Sequence, residues 1–285
     1  MNEPRISVAV PAYDEGEHLP GFLRDLATRG AAERRVAVEL VVVDDGSAPA
    51  DAALYAAAVR GAEAILREAR APHAVRLVAQ ASNGGKGAAI RRGWAEARAD
   101  AGWLGFLDAD GAVSAGEFWR LAARLGGEPP FDVLCGARIL MAGRTIERSL
   151  FRHLQGRVFA TLTEQAFRLG FYDTQCGVKF ARAGLLRPLV PHLRERGWLL
   201  DVEMLALLQR AGACCVEEPI DWADVGASKV RFGVDAARMA LGLWEMRRRL
   251  DALTLPAERS AVPDDLDDAP GVPGAAADAG RRVRA

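Results

Sequence analysis

Short apolar runs rich in β-branched residues recur through the first half of the chain, at Ile6–Val10, Val38–Val43, Val75–Ala79 and Trp103–Leu107. Each is nearly continuous in hydrophobic side chains, the pattern of a strand buried on both faces of a sheet. Between the runs the period changes. Leu19, Phe22, Leu23 and Leu26 fall at i, i+3, i+4 and i+7, one face of a helix. Residues 51–70 are alanine-rich with Leu54, Ala58, Ile65 and Leu66, and residues 87–99 bring Ile90, Trp94 and Ala97 to one side. Ser114 and Glu117 have capping-box spacing ahead of Phe118, Leu121 and Leu125. This alternation predicts an α/β fold with a mostly parallel central sheet covered on both faces. Further strands are expected at Val133–Cys135 and near Cys214–Glu218, with helices over 147–169, 182–194, 200–211 and 233–250. Residues 256–285 hold few large apolar side chains and much Ala, Asp, Pro and Gly, which predicts a disordered tail behind a single domain over 1–255.

Composition narrows the function. The formal net charge of −1, from 37 basic and 38 acidic residues, gives no support for general nucleic-acid binding. Cys135, Cys176, Cys214 and Cys215 lack metal-ligand spacing and read as reduced thiols. No run of about 18 apolar residues is present, so no membrane-spanning helix is expected. The N-terminus leads straight into the first strand without a signal peptide. The expected location is the cytoplasm.

Ligands of parallel sheets bind outside the carboxyl ends of the strands. Four strand ends carry chemistry: Pro11–Gly16 with Tyr13, Asp14 and Glu15; Asp44-Asp45-Gly46-Ser47; Asn83-Gly84-Gly85-Lys86-Gly87; and Asp108-Ala109-Asp110-Gly111. The last places two carboxylates one residue apart. They are either turn formers or hard-oxygen ligands for Mg²⁺ or Mn²⁺, which bind through one or two carboxylates and substrate phosphates. Asp45 could accept a hydrogen bond from a base, and Tyr13 could stack on one or simply pack. Asn83–Gly87 is either a glycine turn or the N-terminus of a helix facing a diphosphate, with Lys86 adding charge. Two other nucleotide motifs fail. No G-x-G-x-x-G follows the first strand, and a P-loop needs Gly where Gln80 stands and Ser or Thr where Gly87 stands.

In order and spacing these four motifs resemble the inverting family-2 glycosyltransferases. The second half narrows the likeness. Asp173-Thr174-Gln175-Cys176-Gly177-Val178-Lys179-Phe180, Trp198 through Asp201-Val202-Glu203, and Trp222 with Gly226-Ala227-Ser228-Lys229 are similar to the dolichyl-phosphate β-glucosyltransferases, over roughly residues 5–250. The resemblance implies a GT-A type Rossmann-like domain with C-terminal helices, divided into a nucleotide-binding half (1–112) and an acceptor half (113–255). It implies a nucleotide sugar, UDP-glucose in the leading case, as donor and a polyprenyl phosphate as acceptor. Pro11, Tyr13, Glu15, Asp45 and Lys86 would hold the nucleotide. Asp108 and Asp110 would hold Mg²⁺ or Mn²⁺. Arg138 and Arg148 would bind the acceptor phosphate, with Arg152 competing for the second place. The chain departs from the family at Asp14, commonly Asn there, and at Ala112, often polar in mannosyl relatives.

A phosphate acceptor needs positioning more than a base. A hydroxyl acceptor would need a base, for which Asp201 is the candidate, with Glu203 or Asp173 behind it. The same donor with a soluble hydroxyl acceptor, or a non-catalytic nucleotide-sugar binder, are the alternatives. Contact with a membrane would come from Phe151, Leu154, Val158 and Leu162 beside Arg152 and Arg157, and from Val234–Met246 ahead of Arg247–Arg249. Such basic amphipathic helices either lie in a bilayer interface or pack on the sheet.

Overall fold

The computed structural model of the chain describes residues 5–147, 150–223 and 234–253. Strands β1 (Arg5–Ala12), β2 (Ala37–Asp44), β3 (Ala74–Ala79) and β4 (Trp103–Leu107) alternate with helices α1 (Leu19–Gly30), α2 (Pro49–Glu68) and α3 (Lys86–Ala95). Helix α4 (Ala115–Ala123) follows β4, and β5 (Val133–Ala137) follows α4. The second half contains β6 (Ile146–Glu147), α5 (Leu150–Phe167), β7 (Val178–Arg182), α6 (Ala183–Leu189), α7 (Leu200–Arg210), β8 (Cys215–Pro219), β9 (Trp222–Ala223) and α8 (Val234–Asp251). The strand order of the main sheet is β3-β2-β1-β4-β7-β5-β8, and β6 and β9 form a separate parallel pair. The first four strands are mutually parallel, as is β5 with β8; β7 runs antiparallel to both neighbours.

Strand β7 was not expected. It carries Lys179 in the middle of a short apolar run, which hides its strand character. The expected helix over 182–194 stops at Leu189, at which point a 3-10 turn (Val190–His192) takes over. Pro188 and Pro191 account for the early stop, because each lacks the N–H that a helix interior needs. The tail at 256–285 lies outside the described residues.

Two large apolar clusters cover the sheet, with a smaller third one formed by Val41, Val43 and Ala89. Phe22, Leu23 and Leu26 of α1, Tyr55 of α2 and Phe118 of α4 pack on one face with Val8, Val10, Trp103 and Leu107. Ile90 and Trp94 of α3 and Leu205 of α7 pack on the other with Leu104 and Phe106. The alternation of Trp103, Leu104, Phe106 and Leu107 between clusters is the period-2 geometry of a strand. Fully burying one such side chain contributes about 1.5–3 kcal/mol. Trp94 also donates its indole N–H to the Gly105 carbonyl at 2.7 Å, fixing α3 against β4. The chain leaves β1 for β2 and β3 on one side and returns to β4 on the other. The crevice between β1 and β4 is therefore the topological switch point, where such sheets bind ligands.

Candidate functional site

A cavity of about 330 Å³ opens at that switch point. It brings together Pro11, Tyr13 and Glu15 from the end of β1, Asp45 from the end of β2, Lys86 from the start of α3, and Asp108 and Asp110 from the end of β4. Gly197 and Trp198 form a lip from the second half of the chain.

Local structure explains each placement. Pro11 lies beyond the last residue of β1 paired with β4, so its missing N–H interrupts no bond on that side. Asp14 adopts φ of 49°, a region that Asn and Asp tolerate better than most residues. Its carboxylate accepts the Ala48 N–H at 3.1 Å and its own N–H donates to Ser47 Oγ at 3.1 Å, tying the first strand end to the second. The Glu15 N–H donates to the hydroxyl of the fully buried Tyr55 at 2.6 Å. Tyr13 stands at the cavity mouth, 40% exposed.

The Asp45 carboxylate is buried and already engaged. Oδ1 accepts from Gln80 Nε2 at 2.7 Å and from the Gly84 N–H at 2.8 Å, and Oδ2 accepts from the Gly85 N–H at 2.8 Å. Its evident work is to hold the glycine loop. The start of α3 likewise differs from the expectation that it faces a diphosphate. The N–H groups of Gly87 and Ala88 donate to the Arg196 carbonyl at 2.8 and 3.2 Å. A backbone oxygen thus fills the place an anion would take at a helix N-terminus. Gly85, at φ of +94°, permits this close crossing.

Lys86 carries the positive charge of the cavity. Its Nζ donates to Asp108 Oδ2 at 3.0 Å and lies 2.7 Å from Oδ1, which accepts no hydrogen bond. Burial would lower its pKa, but Asp108 and Asp201 outweigh that and hold the ammonium above its ordinary value. Asp110 is pushed the other way: burial and the neighbouring Asp108 raise its carboxyl above the usual range. Two close carboxylates, one carrying a buried oxygen that accepts no hydrogen bond and already drawing an ammonium, are hard-oxygen donors that fit a small divalent cation. Substrate phosphate and water would supply the remaining ligands, since no cluster of three or more His, Cys, Asp or Glu side chains suited to a metal occurs among the described residues. Asp108 is itself placed by its N–H donating to the Gly177 carbonyl at 2.8 Å. A methyl group at Gly177 would sit 2.5 Å from Asp108 Oδ2.

The three carboxylates considered as bases are all committed elsewhere. Asp201 is 1% exposed and does not line the cavity. Its Oδ1 accepts from Lys179 Nζ at 2.6 Å, which makes it the anionic half of a buried ion pair. Glu203 accepts the N–H groups of Arg194 and Glu195 at 2.8–3.0 Å and pairs with Arg249 at 2.5 Å. It anchors the loop that carries Arg196 and Trp198. Asp173 forms a two-pronged pair with Arg138, at 2.6 Å to Nε and 2.8 Å to Nη2. Burial alone would raise the Asp173 carboxyl, but Arg138 holds it down at about 2.

Arg138 and Asp173 line a second, smaller cavity of about 40 Å³ with Arg157, Tyr172, Thr174 and Gln175. Buried Thr174 Oγ1 and Gln175 Nε2 have no hydrogen-bond partner there. Arg148 and the side chain of Arg152 lie outside the described residues. Sequence reasoning assigned no role to Trp198, Tyr55 or Lys179. A lysine inside an apolar strand was the available signal for the last, and the lone aromatic three residues before Asp201 for the first.

The model of glycosyl transferase family 2 matches residues 7–187. A dolichyl-phosphate beta-glucosyltransferase of Drosophila melanogaster is 31% identical over 236 residues, covering 79% of this chain and 69% of that one. The protein of the same name from Dictyostelium discoideum is 27% identical over 261 residues, covering 85% and 77%. Among solved structures, glucosyl-3-phosphoglycerate synthase from Mycobacterium tuberculosis, in complex with Mn²⁺, uridine diphosphate and glucosyl-3-phosphoglycerate, superposes with a TM-score of 0.62. It shares 17% identity and covers 88% of this chain and 81% of its own. That likeness is one of fold, a GT-A type domain. The chain is a glycosyltransferase and belongs to glycosyl transferase family 2.

Proposed function

We propose that the chain moves a hexose, glucose in the leading case, from a uridine diphosphate sugar to a polyprenyl phosphate with inversion at the anomeric carbon. The observation that carries the reading is the convergence of Tyr13, Glu15, Lys86, Asp108 and Asp110 on one cavity at the sheet's switch point. The acceptor class is supported by the relatives named for dolichyl phosphate.

Each residue has a physical task. Tyr13 offers a half-exposed ring at the mouth on which a base can stack. Glu15 lines the same cavity and is assigned here to the nucleoside, while Asp45 keeps the glycine loop and hence Lys86 in place. A divalent cation held by Asp108 and Asp110 would supply Lewis-acid stabilisation of the charge that develops on the departing diphosphate. Lys86 adds a positive charge to the same region. On the acceptor side, the pair with Asp173 fixes the plane of the Arg138 guanidinium. A guanidinium fork suits phosphate oxygens, and Arg148 is proposed as its companion. A phosphate monoester, with a second pKa of about 6, is already largely ionised at neutral pH. It attacks without a general base, which agrees with Asp173, Asp201 and Glu203 all being tied to cations.

Incubation of the protein with radiolabelled nucleotide sugars, a polyprenyl phosphate and Mn²⁺ tests the reading. Label should pass from UDP-glucose into an organic-extractable product that releases glucose on mild acid treatment, and the anomeric proton coupling of the intact product should show a β linkage. Label that moves only onto a water-soluble hydroxyl acceptor would assign a different acceptor. Metal-dependent nucleotide binding with no transfer to either acceptor would make the chain a binder.

A further inference from the structure

We infer that Lys86 is a two-position cation shared by Asp108 and Asp201, and that Asp201 is the positioning residue that receives it when a divalent ion takes Asp108. The inference rests on the reading of Asp108 as a metal ligand. Four charges of alternating sign run from the middle of the sheet to the cavity. Lys179 is fully buried, with Nζ 2.6 Å from Asp201 Oδ1 and 2.6 Å from the Cys176 carbonyl oxygen. Asp201 turns its other oxygen, Oδ2, toward Lys86 Nζ at 3.9 Å. Lys86 in turn contacts both oxygens of Asp108, at 2.7 and 3.0 Å. The Phe106 ring lies beside both ammonium groups, 5.3 Å from Lys86 Nζ and 5.2 Å from Lys179 Nζ.

An ammonium and a divalent cation at contact distance on one carboxylate repel each other, so an ion that takes the Asp108 oxygens facing Lys86 drives the ammonium off them. A buried ammonium without a counter-charge is costly. Asp201 Oδ2 is close enough that a small rotation of the flexible lysine stem restores a pair. This explains why a carboxylate already satisfied by Lys179 presents its second oxygen to the cavity's lysine. It also explains why Asp201 need not reach any substrate.

The test is Mn²⁺ affinity of the full chain without nucleotide, measured by electron paramagnetic resonance on the wild type, Lys86→Met, Asp201→Asn and the double variant. Removing the competing ammonium should make Lys86→Met bind Mn²⁺ more tightly, roughly tenfold, within the range of coupling seen for contacting charges. Asp201→Asn should weaken binding by a similar factor in the wild-type background and have no effect in the Lys86→Met background. Additive effects would overturn the inference, since Asp201 would then act by its own charge through space. Unchanged affinity in Lys86→Met would also overturn it. If Asp201→Asn unpairs Lys179 and fails to fold by circular dichroism, the Lys179→Met, Asp201→Asn pair takes its place in the cycle. Absence of Mn²⁺ binding in every variant, with and without uridine diphosphate, would instead defeat the underlying metal assignment.

Discussion

Asp108 and Asp110 differ in how they are held, and their variants should fail for different reasons. Asp108 meets Lys86 and the backbone of Gly177, whereas Asp110 accepts the Ala112 N–H at 2.9 Å. Replacing either with Asn removes a charge from the developing diphosphate site and should cut transfer by roughly 10²–10³-fold. The circular dichroism spectrum should not change, because neither side chain belongs to the apolar clusters. Full activity of either variant, unaffected by a chelator, would remove the metal role. Gly177→Ala tests placement without changing charge. The added methyl would fall 2.5 Å from Asp108 Oδ2 and 2.8 Å from its Cγ, so the carboxylate must move. A displacement of about 1 Å at a reacting centre can cost on the order of 10²-fold in rate. Unchanged kcat in a folded Gly177→Ala protein would show that the position of Asp108 is not critical.

The elements around the cavity depend on two buried charge pairs. Glu203 of α7 holds the loop that crosses the start of α3 and carries Trp198, through the N–H groups of Arg194 and Glu195 and through Arg249. Hydrogen bonds to a charged group contribute about 1.5–3 kcal/mol each. Glu203→Gln should therefore lower the denaturant midpoint by an amount equivalent to a few kcal/mol and weaken uridine diphosphate binding together. A loss of stability with nucleotide affinity intact would separate the loop from the donor cavity. Asp173 links the end of β5 to the segment before β7. Its folded pKa of about 2 lies below the ordinary 3.8, so its contribution is complete above pH 3.8 and is lost as pH falls toward 2. The difference in urea stability between wild type and Asp173→Asn should shrink by on the order of 2 kcal/mol across that window. A constant difference would mean that the pair with Arg138 does not set its titration. The strands β1 to β4 and their helices were legible in the sequence because parallel strands covered on both faces leave unbroken apolar runs. The carboxylates at their ends were legible for the same reason, since a polar residue stands out where such a run stops. Strand β7 was not, because its Lys179 serves a partner 22 residues away on α7. The commitments of Asp201 and Glu203 were equally hidden, because pattern marks an acidic residue but not the cation or N–H that meets it in space.

At the scale of the molecule, an acceptor carrying a polyprenyl chain must be taken from a lipid surface. No helix among the described residues is long and apolar enough to cross a membrane. Helices α5 and α8 pack against each other in the second half of the chain. They leave Val158 and Leu162 of α5 and Leu241 and Trp244 of α8 exposed, the last two at 60% and 56%. The Arg248 guanidinium lies 4.8 Å from the Trp244 ring centroid, an aromatic and a cation together at the surface. Phe151 and Leu154, read from sequence as part of the same apolar row, have side chains outside the described residues. Burying one leucine or tryptophan in an interface is worth about 1.5–3 kcal/mol, and each basic residue near an anionic lipid surface about 1 kcal/mol. The chain's overall charge of −1 gives no general attraction to such a surface, so binding would have to come from this local combination. We therefore expect flotation with vesicles of phosphatidylcholine containing phosphatidylserine and less with phosphatidylcholine alone. The double variant Leu241→Ala, Trp244→Ala should partition at least roughly tenfold more weakly while still transferring sugar to a detergent-dispersed acceptor. Equal flotation of variant and wild type would place the contact elsewhere on the surface. No flotation of either protein would mean that the acceptor reaches Arg138 from solution, and the acceptor half of the molecule would then be read as a pocket for a soluble phosphate.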